Sequence, residues 1–249
     1  MTTIDNDSAG KTAMPLLTLQ GVDKTYRQGE LEVRALQGID LTVEEGEFAA
    51  LVGPSGSGKT TLLNIIGGLD APSQGSIRLN GTSITTLKEA ELSDFRLCQL
   101  GFVFQAYNLV PVLSALENVE LVMVLQGRDV RERRERAEHY LKLVGLEKVM
   151  QRRPAALSGG QQQRVAVARA LAAGPRLVLA DEPTANLDSE NATALLDIMH
   201  RLSHEEKTTF IFSTHDRRVM ERAERIITLR DGRIVSDERV GQETHEPMV

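Results

Sequence analysis

The segment FAALVGPSGSGKTTLLNIIGGL, residues 48–69, constrains the fold more than any other. Five apolar residues, too few for a helix, lead into the octapeptide GPSGSGKT (53–60), and apolar residues then recur at 62, 63, 65, 66 and 69. This order demands a buried strand that turns into a helix through a loop able to adopt positive φ. Gly53, Gly56 and Gly58 supply that freedom and let backbone N–H groups approach an anion, with Ser55 in the same cradle. The helix N-terminus adds its partial positive charge. In this G-x-x-x-x-G-K-[ST] pattern Lys59 faces β- and γ-phosphates, Thr60 offers its hydroxyl to Mg²⁺, and Thr61 reaches the α-phosphate. The segment predicts a nucleotide site.

A metal on such a phosphate needs a carboxylate at a neighbouring strand end. The run RLVLADEPTANLD (176–188) provides one, because Leu177 to Ala180 are apolar and end in Asp181 and Glu182. Asp181 is expected to hold the metal through a coordinated water. Glu182 is expected to polarise the water that attacks the γ-phosphate. Adjacent carboxylates repel one another, which is tolerable beside a cation.

A second anion-binding helix end follows from LSGGQQQRVAVARALAAG (157–174). Ser158 is a suitable N-cap, and Gly159 and Gly160 leave the first amides open ahead of Gln161. A single γ-phosphate held by the first loop leaves this end for the nucleotide of a second copy. These residues resemble the LSGGQ signature of the ABC (ATP-binding cassette) ATPases. The resemblance runs from Leu16 to about Gly241 and carries further motifs in family order. Gln105 in GFVFQ resembles the Q-loop, a ligand to Mg²⁺ and a catalytic participant. ANLD (185–188) resembles the D-loop, with Asp188 in the nucleotide-site set and Asn186 where many members have Ser or Gly. His215 in FIFSTHD resembles the switch histidine that donates to the γ-phosphate, and Tyr26 sits where the family stacks an aromatic ring on adenine.

The resemblance implies an α/β fold: a RecA-like P-loop core with an antiparallel β portion and an inserted helical subdomain at about 106–160. The cassette is expected over 16–241, between a disordered leader (1–15) and a tail (242–249). From the residues, 16 to about 100 read as β-rich apart from the phosphate-loop helix. Residues 108 to about 153 read as helical, opened by a Ser114–Glu117 capping box. In RERRERAEHYLKLVGL, charges alternate in sign at i, i+4 (Arg131–Glu135, Glu132–Arg136, Arg134–Glu138), which reads as a solvated helix face rather than a nucleic-acid patch. Asp231-Gly232 between two apolar runs predicts a hairpin.

The overall net charge of −6 likewise argues against nucleic acid as a partner. Residues 1–14 are polar and lack the apolar stretch of a secretory signal. No run approaches the roughly 18 apolar residues of a membrane span. Cys98, the only cysteine, is expected to be a buried apolar thiol. His139, His200, His204 and His245 receive no role.

By resemblance, two copies close head to tail over two ATP–Mg²⁺ and drive separate membrane permease subunits from the cytoplasmic face, as a peripheral protein. AYNLVPVLSALENV (106–119) is expected to line the permease groove. Segments such as GGLDAPSQGSI and FVFQAYNLVPVLSALENVEL look like the macrolide-export and lipoprotein-release type. Its permeases have few membrane helices and a large extracytoplasmic domain, and a periplasmic adaptor is a further candidate partner. An amino-acid-type importer ATPase and a cell-division regulator of the same subgroup share the catalytic motifs.

Overall fold

The computed structural model describes residues 14–29 and 31–240. The tail at 242–249, His245 and all but the last two residues of the expected leader lie outside them.

The chain begins with two long antiparallel strands, β1 (Leu17–Gln28) and β2 (Leu31–Val43), followed by β3 (Phe48–Val52) and the phosphate-loop helix α1 (Lys59–Ile66). Then come β4 (Gln74–Leu79), the short β5 (Thr82–Ser83), α2 (Glu89–Gln99) and β6 (Leu100–Val103). Three helices occupy the middle of the chain: α3 (Ala115–Leu125), α4 (Val130–Leu143) and α5 (Gly159–Ala172). The last third alternates as β7 (Leu177–Asp181), α6 (Ser189–Glu205), β8 (Thr209–Thr214) and α7 (Arg217–Met220), and ends with β9 (Arg225–Arg230) and β10 (Arg233–Arg239).

These strands form two sheets. One is antiparallel, in the order β2-β1-β4-β5; the other has six strands in the order β10-β9-β3-β8-β7-β6. In the second, β9, β3, β8, β7 and β6 run parallel and only β10 is antiparallel. The β9–β10 turn falls at Asp231-Gly232, both with positive φ (49° and 74°), as the hairpin reading anticipated.

Period-two alternation sorts the central strands onto two cores. Phe48, Ala50 and Val52 of β3, Val178 and Ala180 of β7, and Phe210 and Phe212 of β8 face the cluster shared with α3 to α6. Ala49, Leu51, Leu177, Leu179 and Ile211 face the other way, toward α1 and the antiparallel sheet. Covered on both faces, these strands read as unbroken apolar runs. The Phe48 ring packs on Phe210 and Phe212 at centroid distances of 5.5 and 4.7 Å. Each such side chain contributes roughly 1.5–3 kcal/mol by burial.

The central helical region follows the sequence reading, with Val119, Met123, Ala137, Leu141, Val167 and Leu171 in one cluster. Ser114 and Glu117 form the expected capping box. Arg131–Glu135 and Arg134–Glu138 pair as foreseen, at 2.9 and 3.1 Å. The third pair differs: Glu132 bonds Arg128, while Arg136 Nε donates to the Ala172 carbonyl at 2.9 Å. Burial beside α5 and an unsatisfied carbonyl at its end win over a solvent-exposed ion pair.

Two other expectations are corrected. The stretch read as β-rich contains the eleven-residue helix α2, none of whose residues is fully buried. Without a buried stripe it leaves no apolar period to read. Cys98 lies on this helix and is exposed, not buried.

Candidate nucleotide site

The site lies where β3, β7 and β8 end side by side. The loop after β3 adopts φ of 148°, 78° and 105° at Gly53, Gly56 and Gly58. At Gly53 a Cβ would stand 2.1 Å from the Leu229 carbonyl oxygen, and at Gly58 2.6 Å from that of Ala35. Both positions therefore exclude every side chain, on conformation and on space. The helices α3 to α6 all begin with a side chain bonded into their first turn, from Ser114, Asp129, Ser158 and Asp188. α1 begins at Gly58 with no such cap. Its first amides are left for a ligand, where the helix dipole favours an anion.

Lys59 is 9% exposed and donates to the Gly53 and Pro54 carbonyls at 2.8 and 3.0 Å. Its ammonium is thus held against the loop it would neutralise phosphates over. Thr60 Oγ1 lies 3.0 and 3.1 Å from the two Asp181 carboxylate oxygens. Ser213, buried at the end of β8, donates to Asp181 Oδ1 at 2.5 Å and accepts from the Glu182 N–H at 3.0 Å. Glu182 sits at φ 46°. Its side chain reaches back to His215, whose Nδ1 is 2.8 Å from Glu182 Oε1. One cavity of about 460 Å³ gathers Ser55, Gly56, Gly58, Lys59, Thr60, Thr61, Gln105, Glu182 and His215. That volume is within the range of small-molecule sites.

Three sets of expected residues lie at or beyond its rim. Tyr26 is 41% exposed, and its hydroxyl bonds Asp70 at 2.8 Å and also faces the Thr61 hydroxyl. Partial burial and the Asp70 bond raise the Tyr26 pKa. Partial burial opposes ionisation of Asp70. The hydrogen bonds from Lys24 and Tyr26, with the Lys24 charge, outweigh it and hold the carboxyl below its ordinary value. Ser158 caps α5 by accepting from the Gln161 N–H at 3.3 Å, while Gln161 Oε1 accepts from the Ser158 N–H at 3.0 Å. Ser158 is exposed, and Gly159 and Gly160 are half-buried; none lines the cavity. Asp188 caps α6, and both its carboxylate oxygens accept from Asn191. The structure thus gives Asp188 a local structural role within the single chain.

Several contacts of the site were missed in the sequence. Ser213 ties the two acidic residues together; its polarity at the end of the apolar run TFIFST was the available signal. Asn186 Nδ2 donates to the Gln105 carbonyl at 2.9 Å, joining the loops after β6 and β7. Arg169 on α5 donates to the Tyr107 and Asn108 carbonyls at 3.0 and 2.6 Å. Burial alone lowers its pKa. Tyr107 and Asn108 have φ of 46° and 48°, so the guanidinium holds a left-handed turn next to Gln105.

A parallel sheet with a glycine loop and uncapped helix at its strand ends, beside paired carboxylates, defines a P-loop nucleotide-binding domain. The ABC transporter family matches residues 36–185, and the chain belongs to that family. It is similar to the lipoprotein-releasing system ATP-binding protein LolD of Anaeromyxobacter dehalogenans, at 48% identity over 92% of this chain and 96% of the relative. It is also similar to the macrolide export ATP-binding/permease protein MacB of Azoarcus sp., at 50% identity over 90% of this chain. The chain spans about a third of the length of the MacB relatives it matches. A solved dimer of an ATP-binding cassette from Methanocaldococcus jannaschii, described as a post-hydrolysis state bound to ADP and Pi, superposes with a TM-score of 0.83. It is 44% identical, over 90% of this chain and 98% of that one.

Proposed function

We propose that the chain is the ATP-hydrolysing subunit of an ABC transporter of the macrolide-export and lipoprotein-release type, acting as a head-to-tail dimer on separate permease subunits. What carries the reading is the division of the site. The loop 53–60, Gln105, Glu182 and His215 share one cavity, whereas Ser158–Gln161 lies outside it on a separate, partly exposed helix end. A second copy would bring that end to the γ-phosphate. The dimeric cassette at 44% identity and the LolD relative of matching length support this arrangement.

ATP would lie with its phosphates over the free amides of α1, Lys59 neutralising the β- and γ-phosphates and Tyr26 stacking on adenine. The oxygen-only set of Thr60, Asp181 and Gln105 suits a hard cation and would hold Mg²⁺. When bound, Mg²⁺ neutralises charge on the transferring phosphoryl group. Glu182 then orients and polarises the attacking water. His215 bonds the Glu182 side chain at 2.8 Å and would donate to the γ-phosphate beside it. Asp188, bonded to Asn191 at the start of α6, would help position the partner's contact.

No described helix is long and apolar enough to cross a membrane. By likeness to the LolD relative, the work would be passed to other subunits from the cytoplasmic face. An apolar groove of about 560 Å³ between α2 and α3, lined by Leu97, Phe102, Phe104, Leu121 and Leu125 and, from the expected segment 106–119, by Asn108 alone, continues from the Gln105 loop and is the surface we assign to a permease segment. The permease would have few membrane helices and a large extracytoplasmic domain, with a periplasmic adaptor beyond it.

The test is a pull-down of tagged Glu182→Gln from native membranes in mild detergent with ATP–Mg²⁺. Recovery of a few-helix permease with a large outer domain is expected. A many-helix permease with a solute-binding protein would make this an importer ATPase.

A further inference from the structure

Far from the nucleotide cavity, α6 turns two histidines toward the start of β9. His200 and His204 are one helical turn apart. Their Nε2 atoms lie 3.3 and 3.0 Å from the same oxygen, Glu224 Oε1. All three ligand atoms fall within 4.8 Å of one another. Around a tetrahedral Zn²⁺ with bonds of about 2.0–2.1 Å, neighbouring donors stand about 3.3 Å apart. The two histidine-to-Glu224 separations already have nearly that spacing.

The three groups are also held in place by their surroundings. α6 is anchored by Ala192, Leu195, Leu196, Met199 and Leu202, all buried. The His200 ring stands edge-on to Phe48 at 5.3 Å and 90°. The Glu224 N–H donates to the Phe48 carbonyl at 3.0 Å, and the Glu224 carbonyl accepts from Val240. The two imidazoles meet edge to face rather than stacking, with centroids 4.5 Å apart and planes at 76°. His204 also lines an open cavity of about 810 Å³, so this side of the cluster meets solvent.

We propose that His200, His204 and Glu224 form a binding site for a divalent transition-metal ion, Zn²⁺ by donor class. The two imidazoles are borderline nitrogen donors that favour Zn²⁺ over Mg²⁺ or Ca²⁺, and one carboxylate completes a donor set that Zn²⁺ accepts. An ion there cross-links α6, which starts at the Asp188 cap, to the segment that follows His215 and α7. It thereby joins two elements that leave the nucleotide site in different directions.

The experiment titrates untagged, chelator-treated protein with Co²⁺ in excess Mg²⁺ and without nucleotide, then displaces Co²⁺ with Zn²⁺. Mg²⁺ occupies oxygen-only sites, so an intense visible band reports the His–Glu site. One equivalent of Co²⁺ with such a band, displaced by Zn²⁺, is expected. His204→Ala, at an exposed position that does not threaten folding, and His200→Ala should each abolish the band and weaken Zn²⁺ at least about tenfold. Zn²⁺ should raise the melting temperature of the parent chain and not that of His204→Ala. His245→Ala and Cys98→Ala should bind as the parent does. Absence of a band, binding unchanged in both histidine variants, or loss of binding in His245→Ala or Cys98→Ala would each overturn the proposal.

Discussion

The hydroxyl of Ser213 donates to Asp181 Oδ1 at 2.5 Å and accepts from the N–H of the next acidic residue, Glu182, at 3.0 Å. One oxygen thus sets the direction of the carboxylate assigned to the metal and the backbone of the carboxylate assigned to the water. Ser213→Ala should leave the fold intact, because the Ser213 carbonyl still accepts from the Glu182 N–H at 3.2 Å. Mg²⁺ affinity should fall about 10–100-fold, as for other residues that orient a metal ligand. ATPase assays at graded Mg²⁺ check this; an unchanged Mg²⁺ requirement would remove Ser213 from the site.

Glu182→Gln keeps shape and removes the base. Turnover should drop about 10²–10⁴-fold while ATP binding persists, and ATP–Mg²⁺ should produce a dimer by light scattering. His215→Ala should lose turnover on a similar scale. A monomer in Glu182→Gln at saturating ATP would contradict the head-to-tail reading.

Ser158→Ala loses the α5 cap, at a cost of about 1 kcal/mol in a urea melt. Placed in the Glu182→Gln background, it should also weaken the ATP-dependent dimer. If the melt shifts and the dimer does not, the second copy is not held by this helix end.

Arg225, 8% exposed, donates twice to Asp237 at 2.7 Å, to Glu47 at 2.6 Å and to the Thr42 carbonyl at 2.8 Å. These bonds raise its pKa further above the usual range. Arg225→Met should destabilise the chain by about 3 kcal/mol, since Asp237 loses its partner and the nearly buried Glu47 keeps only Arg239. Equilibrium denaturation measures the loss, and Glu47→Gln in the same background should recover part of it.

Burial, then the charge of and bond to Glu206, push the Tyr140 phenol up to about 12. The folded state thus holds this proton more tightly than the unfolded chain, where the value is about 10. Its contribution is complete below about pH 10 and is lost as pH rises toward 12. Tyr140→Phe should flatten the fall in stability across that window. An identical alkaline slope in both chains would remove Tyr140 as its source.

Much of the site was legible because its physics is local. The glycines at 53, 56 and 58, the Ser158 N-cap and the Asp231-Gly232 turn are each signalled by a few consecutive residues. Ser213 and Asn186 were not legible, because their partners come from other strands and only the parallel pairing of β7 with β8 and β6 brings them together. Helix α2 escaped for a different reason: it packs without burying any residue fully, so hydrophobic period and segment type were uncoupled. The same helix carried Cys98 outward, against the usual preference of a free thiol.

The Leu229 carbonyl sits where a Cβ on Gly53 would be, Ser57 accepts from the Gly232 N–H at 3.0 Å, and Ala35 closes on Gly58. The phosphate loop therefore has a rear wall made by β2 and the β9–β10 turn, drawn from both ends of the chain. Its eight residues do not carry their shape alone. Grafted elsewhere they would be a limp glycine linker, and a chain shortened before Leu229 would keep the whole motif while losing the mould that gives it form.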